Sequence, residues 1–127
     1  MIVQAGLKGK SELIVTLSNT AKNIGSGSLE VLATPMLVAL MENAAIKALN
    51  LPEDQTSVGI YLEVKHFAAT PMGMQVWAEA EIMEVEGRKL VYKLEAYDEK
   101  EKIGEGRHER FIVNCEKFIS KANSKLG

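Results

Sequence analysis

The stretch from Ala33 to Asn50, ATPMLVALMENAAIKALN, constrains the fold more than any other part of the sequence. It predicts a helix of about four turns, with Thr34 as a possible cap, Pro35 in the first turn and Asn-Leu-Pro at its end. Apolar side chains fall on every face of this helix. Such a helix cannot lie on a surface with one side in water, so other structure must surround it.

Glu42 lies in the middle of this apolar helix. Burying an unpaired carboxylate costs on the order of several kcal/mol, so the side chain must be paired, protonated or functional. Within the helix the only cation is Lys47, which lies on a different face. Desolvation raises the pKa of a buried carboxyl toward the range where it is a competent base near neutral pH. Glu42 is therefore the leading candidate for a general base or a nucleophile.

Most of the chain after the helix alternates between apolar and polar residues, which predicts strands. In the segment 57–67, Val58, Ile60, Leu62, Val64 and His66 share the apolar face. The predicted strands are Glu12–Leu17, Ser57–Phe67, Met74–Val85, Leu90–Tyr97 and Ile103–Asn114, with a hairpin turn at 86–88. A mobile connection is expected at 20–28, and a short helix or frayed tail at 116–127.

A sheet with one apolar face and a helix that is apolar all round bury each other only if the sheet curls around the helix. The pattern therefore predicts an α+β fold. One sheet of this size covers only part of the helix, so we expect the second helix face to meet another subunit in a homodimer or a dimer of dimers.

Composition limits the possible partners. The 127 residues, 46% hydrophobic and 25% charged, are typical of one domain spanning 1–127. A net charge of -2 argues against nucleic acid and anionic membranes as partners. Cys115 is the single cysteine and belongs to no metal-ligand cluster, and no apolar run approaches the roughly 20 residues that cross a bilayer. We expect a cytoplasmic protein without a metal site.

Several short motifs occur in a specific order between about Thr16 and Phe118. They are TPM with ME seven residues beyond the threonine, HxAxxPxG starting at His66, the VEGR turn, and GxHxR with His108 and Arg110. In this order and spacing the chain resembles the hotdog-fold thioesterases, in their fluoroacetyl-CoA thioesterase-like branch.

The resemblance implies a hotdog fold, an antiparallel sheet of five or six strands wrapped around one long central helix. It also implies subunits paired edge to edge, with active sites at the dimer interface. The expected reaction is hydrolysis of acyl-CoA without metal or organic cofactor. The family's catalytic threonine, glutamate and histidine correspond to Thr34, Glu42 and His66, and a glycine that lies against the thioester corresponds to Gly59.

The roles of these residues follow from their chemistry. His66 can hold the carboxylate by a hydrogen bond or supply a proton, and backbone amides near Gly59 are candidate donors to an oxyanion. Thr34 and Glu42 are two helical turns, or about 12 Å, apart, so Thr34 either meets the glutamate of the partner subunit or contacts another part of the substrate. Without the resemblance, Thr34 reads as a helix cap, His66 as a structural histidine at a strand end and Gly59 as a bulge.

His108 and Arg110 lie on one face of the last strand and are candidate substrate-binding residues, for instance for CoA phosphates, although a solvated sheet face is an equal alternative. The sequence thus predicts a thioesterase for short- or medium-chain acyl-CoA. The resemblance implies that the segment before the helix shapes discrimination for the fluorinated acyl group. In this chain the segment is rich in small residues, which argues against fluoroacetyl-CoA itself. The alternatives are a non-catalytic acyl-CoA or acyl-carrier binding module and a hotdog hydratase or dehydratase.

Overall fold

The structure, a computed structural model, describes residues 2–127. Its strands are β1 (Lys8–Ile14), β2 (Gln55–His66), β3 (Gln75–Glu86), β4 (Lys89–Asp98) and β5 (Lys102–Asn114). Its helices are α1 (Ala21–Ile24), α2 (Thr34–Lys47) and α3 (Cys115–Asn123), with short 3-10 turns at Leu17–Asn19 and Ser124–Leu126.

The five strands form one antiparallel sheet in the order β1-β3-β4-β5-β2. A two-residue turn joins β3 to β4, as predicted, and Gly87 adopts the positive φ of 62° that this turn requires. The two edge strands are β1 and β2. Among residues 2–127, β2 pairs only with β5, so its other edge offers free backbone donors and acceptors.

Helix α2 lies across one face of the sheet and packs mainly against β1 and β3. The core contains Leu37, Met41, Ala44 and Ala45 from the helix, Val76, Ala78, Ala80 and Ile82 from β3, and Leu90, Leu94 and Ala96 from β4. Tyr92 donates a hydrogen bond from its hydroxyl to the carbonyl of Ala45, 3.0 Å away. The predicted α+β class, the central helix and the alternation of β3 and β4 are all confirmed.

The opposite face of α2 is not covered by this sheet. It exposes Thr34, Pro35, Ala39, Asn43, Ile46 and Lys47. The expectation that the helix is enclosed on all sides is therefore not met within one chain. That a second subunit covers this face stays a prediction.

The boundaries before α2 differ from the predicted ones. β1 begins and ends earlier than the predicted strand at 12–17. The expected mobile connection contains the short helix α1, which ends at Gly25 with a φ of 82°. Backbone hydrogen bonds then tie Lys22 to Leu29 and Ala21 to Val31, at 3.0 and 2.8 Å. Main-chain bonding within this segment is local and leaves no signal in hydrophobic periodicity.

The predicted face of β2 is correct only in its second half. A bulge between Gly59 and Tyr61 inserts Ile60 as an extra residue against β5. Every side chain before the bulge therefore points to the opposite face from the one predicted. Ser57 is buried while Ile60 is 53% exposed, whereas Leu62 packs against the core as expected.

At the C-terminal end, the short-helix alternative is the one observed. Helix α3 begins after Asn114, whose side chain accepts a hydrogen bond from the backbone N–H of Lys117. Among the residues that the structure describes, every helix is too short or too polar to cross a bilayer.

Candidate active site

The first residue of α2 and the last residue of β2 are hydrogen-bonded to each other. Oγ1 of Thr34 lies 2.7 Å from Nδ1 of His66. The capping position belongs to Ala33, and Thr34 forms no side-chain cap to the helix backbone. The hydroxyl therefore bonds to the histidine, and the interpretation of Thr34 as a helix cap is wrong.

His66 is half-buried, and this burial lowers its pKa below the usual value of 6.5. Near neutral pH the imidazole is therefore neutral, so it carries one N–H and one acceptor nitrogen. Its Nε2 atom is buried and has no hydrogen-bond partner within residues 2–127. The ring thus keeps one nitrogen available for a further group.

Glu42 occupies the side of α2 that the sheet leaves partly open. Its side chain is 41% exposed, so the expectation of a buried carboxylate is wrong for a single chain. The carboxylate faces β2 and β5 near Gly59. It does not meet His66, whose observed side-chain bond goes to Thr34.

Arg110 on β5 supplies the cationic partner that the helix sequence does not offer to Glu42. Its Nη1 lies 4.0 Å from Oε2 of Glu42, and the guanidinium is nearly fully buried. Two hydrogen bonds to Ser57 hold the guanidinium in place. Nε of Arg110 donates to Oγ of Ser57 and Nη2 donates to its carbonyl oxygen, each at 2.8 Å. The arginine is thus a fixed positive charge beside the carboxylate.

His108 lies next to this arginine and is 1% exposed. Its Nδ1 is 2.8 Å from the carbonyl oxygen of Tyr61, which can only accept, so Nδ1 carries the proton. Nε2 is then the acceptor for Nη1 of Arg110, at 3.0 Å. Burial is the largest cause that lowers the pKa of His108, and Arg110 lowers it further, which favours this neutral form. The solvated-face alternative is wrong for both side chains.

Gly59 faces the same carboxylate because the bulge turns it toward the helix side of the sheet. A Cβ built on this glycine would lie 3.3 Å from Oε2 of Glu42 and 3.2 Å from Cε1 of His108. An open cavity of about 300 Å³ adjoins these atoms. It is lined by Glu42, Gly59, Ile60, Tyr61, Leu62 and His108. A ligand in this cavity reaches the glycine backbone and the carboxylate together.

Within one chain the site residues therefore form two groups. Thr34 and His66 make one group, and Glu42, Gly59, His108 and Arg110 make the other. Eight residues of helix separate Thr34 from Glu42, about 12 Å along the axis. Residues 2–127 hold no cluster of three or more His, Cys, Asp or Glu side chains arranged to bind a metal ion.

Sequence reasoning did not identify Ser57 or the Tyr61 carbonyl as part of this arrangement. Both accept hydrogen bonds from side chains on β5, Ser57 from Arg110 and the Tyr61 carbonyl from His108. Their positions opposite β5 depend on the bulge in β2. The available signal was the i, i+2 spacing of His108 and Arg110, which places them on one strand face but does not say which face.

The fluoroacetyl-CoA-specific thioesterase family, FlK, matches residues 15–116. A fluoroacetyl-CoA thioesterase from Streptantibioticus cattleyicolor is 42% identical over 98 residues, which cover 76% of this chain and 70% of that protein. A substituted form of FlK crystallised with fluoroacetate and CoA is 34% identical with a TM-score of 0.85, covering 91% of this chain and 99% of that one.

A thioesterase superfamily member from Thermus thermophilus is 30% identical, with a TM-score of 0.87 over 98% of this chain and 93% of that one. The family match covers most of the chain, and the observed sheet, helix and motif residues agree with it. The protein therefore belongs to the fluoroacetyl-CoA-specific thioesterase family and is a thioester hydrolase with the hotdog fold.

Proposed function

We propose that the protein hydrolyses a short- or medium-chain acyl-CoA thioester, with Glu42 as base or nucleophile and with Thr34 and His66 assisting. The observation that carries the proposal is the surrounding of Glu42: an accessible carboxylate lies beside a fixed guanidinium and against a glycine backbone in an open cavity. An acyl-CoA substrate is further supported by the relative that was crystallised with fluoroacetate and CoA.

A homodimer brings the two groups of side chains together. A twofold axis that pairs the free edges of two β2 strands makes them antiparallel, so the His66 end of one strand runs beside the Gly59 end of the other. The same contact covers the open face of α2. The Thr34 and His66 pair of one subunit then completes the Glu42 group of its partner.

In this arrangement Glu42 either removes a proton from a water that attacks the thioester carbonyl, or attacks the carbonyl itself to form a mixed anhydride that water then hydrolyses to release the acid and free Glu42. Backbone N–H groups near Gly59 stabilise the oxyanion, because no Cβ keeps the carbonyl at a distance. As the C–S bond breaks, the CoA thiolate leaves, and His66 can protonate it or hold the water through Nε2. Thr34 orients the ring through Nδ1.

Because His108 and Arg110 are buried, their position supports a role in holding the Glu42 carboxylate more than a role in binding CoA phosphates. Arg110 places a fixed positive charge 4.0 Å from the carboxylate of Glu42, and neutral His108 holds Arg110 in place. His108 lines the cavity and Arg110 approaches the carboxylate from a buried position, so neither role needs access to the bulk solvent.

The experiment that tests the proposal measures thiol release from a panel of acyl-CoAs, including acetyl-, fluoroacetyl-, butyryl- and octanoyl-CoA. The parent protein is compared with Glu42→Gln, which keeps the side-chain shape and removes the base. We expect at least a hundredfold lower kcat in the variant, with CoA-ester binding retained. Equal activity in both proteins, or binding without hydrolysis in either, contradicts the proposal.

A further inference from the structure

A buried carboxylate outside the site ends strand β4. Asp98 is 4% exposed and accepts three hydrogen bonds. Its Oδ1 accepts from the backbone N–H groups of Lys100 and Glu101, at 2.8 and 3.0 Å, and its Oδ2 accepts from the hydroxyl of Thr70 at 2.8 Å. A turn needs only the first two bonds, since Asx-type turns close through backbone N–H groups. The third bond reaches a distant loop.

Thr70 is fully buried, and both of its polar oxygens are used. The hydroxyl is fixed to Asp98, while its carbonyl accepts from the backbone N–H of Leu32 at 3.0 Å. A bridge between Val31 and Pro71 continues this pairing. Thr70 therefore joins the end of β4 to the segment that enters α2.

The two segments joined in this way carry the two members of the Thr34 and His66 pair. Leu32 precedes Thr34 by two residues, and Thr70 follows His66 by four. On the His66 side, the backbone N–H of Phe67 also donates to the carbonyl of Ile103 at 3.0 Å. The segment after His66 is thus fixed to β5 through Phe67 and to the end of β4 through the Thr70 hydroxyl, and the segment before Thr34 is attached to it through the Thr70 carbonyl.

We propose that Asp98 and Thr70 are positioning residues that hold the Thr34 hydroxyl and the His66 ring at hydrogen-bond distance. This Asp98–Thr70 brace touches neither substrate nor reacting atoms, and its catalytic importance rests on the proposed function. Removing the Thr70 hydroxyl leaves a buried carboxylate oxygen without a donor, and the loop must move to bring water or another donor to it. His66 moves with that loop.

The central variant is Thr70→Val, which keeps the shape of the side chain and removes the hydroxyl. Thr70→Ser restores the donor, and Ile82→Val serves as the matched control because it weakens the buried core on β3 without touching the brace. We expect kcat for acyl-CoA hydrolysis to fall about 10- to 100-fold in Thr70→Val with little change in KM, because a displacement of about 1 Å has effects of this size. Thr70→Ser and Ile82→Val stay within about threefold of the parent.

A second readout does not depend on catalysis. The chain has two histidines, so His108→Gln assigns the two imidazole signals in NMR spectra. We expect Thr70→Val to shift the His66 signals and to raise the pKa of His66 toward its usual value as water enters, while the His108 signals stay unchanged. If Thr70→Val does not fold, Thr70→Ala repeats both measurements, since it also removes the hydroxyl and leaves room for a water beside Asp98.

The two proposals fail in different ways. Parental His66 signals and parental kcat in a folded Thr70→Val overturn the brace, whatever the reaction. An equal loss of kcat in Ile82→Val also overturns it, because the effect is then one of stability alone. Unchanged hydrolysis in Glu42→Gln overturns the proposed function, and the His66 signals still report on the brace.

Discussion

The hydroxyl of Thr34 and the imidazole of His66 form a 2.7 Å hydrogen bond between the start of α2 and the end of β2. Thirty-two residues separate them in the chain. The bond takes the hydroxyl away from the helix terminus, where Ala33 occupies the capping position without a side-chain bond. The Thr34 hydroxyl is therefore placed for a task other than helix capping.

Replacing Thr34 by valine tests that task. The variant keeps the branched shape but cannot bond Nδ1 of His66, so we expect kcat to fall about 100-fold, the size of effect typical of a lost acid–base partner. Folding should be little affected, because one solvent-exposed hydrogen bond contributes about 1 kcal/mol. The measurement is kcat for acyl-CoA hydrolysis together with the free energy of unfolding in urea.

Thr34→Ser is the matched control, since it retains the hydroxyl. It should keep kcat within several-fold of the parent. A parental kcat in Thr34→Val removes the residue from the mechanism. A loss of activity that follows a large loss of stability points to a structural role.

Gly59 gives a second prediction, because a methyl group there meets the carboxylate. Its Cβ would lie 3.3 Å from Oε2 of Glu42, which is 41% exposed and free to move, and 3.2 Å from His108, which is held on both nitrogens. We expect Gly59→Ala to fold with a loss of no more than about 2 kcal/mol and to lower kcat about 10- to 100-fold by displacing Glu42.

Gly27→Ala is the comparison for Gly59→Ala. Its new Cβ makes an equally close contact, 3.2 Å from Cβ of Ala21, but it lies in an exposed loop. This variant should keep the parental kcat. If both alanine variants lose activity equally, the effect of Gly59→Ala is not specific to the carboxylate.

Much of the fold was predictable from the sequence, because its signals are local. The period of two in β3 and β4, the glycine turn between them and the apolar length of α2 each depend on neighbouring residues. The order of the short motifs indicated the family, which the comparisons confirm. A single domain over residues 1–127 and a cytoplasmic location remain predictions.

The parts that were missed depend on contacts between distant segments. The bulge at Ile60 is defined by the register of β2 against β5, so the alternating pattern placed Val58 and Ile60 on the wrong face. The same register places Arg110 beside Glu42, which explains why the helix sequence alone showed no cationic partner. The 2.7 Å bond of Thr34 likewise requires the end of β2, and helix signals suggested a cap instead.

The histidines make stability depend on pH just below 6.5, the usual pKa of histidine. Burial lowers the pKa of both His66 and His108, so the unfolded chain binds more protons in this range. The free energy of unfolding should therefore fall as pH decreases from 6.5. Facing His108 are Arg110, Glu42 and Tyr92, and burial raises the pKa of the Tyr92 hydroxyl to about 12, outside this range.

Urea unfolding at several pH values measures this dependence, with His108→Gln as the test variant. The glutamine keeps an acceptor for Arg110 but does not titrate, so the slope just below pH 6.5 should become shallower. The carboxyls of Glu95 and Glu105 do not interfere, because Lys102 holds their pKa below the usual 4.5. An unchanged slope contradicts the expected contribution of His108.

Mixing two inactive variants tests whether the site is shared between subunits. In a dimer of one Thr34→Val chain and one Glu42→Gln chain, one shared site carries both substitutions and the other carries neither. With free exchange, half of the dimers are mixed and one of their two sites is intact, so we expect recovery of about a quarter of the parental activity. A site complete within one chain predicts no recovery. The measurement is acyl-CoA hydrolysis after refolding the variants together.

Recovery should require pairing through the free edge of β2. Ile60 lies on this edge and is 53% exposed, and a lysine there discourages strand pairing. Adding Ile60→Lys to both chains should therefore give monomers in sedimentation and abolish the recovered activity. Ile119→Lys on α3, where the isoleucine is 58% exposed, is the matched control and should leave both unchanged. Recovery that persists in monomeric Ile60→Lys chains contradicts a shared site.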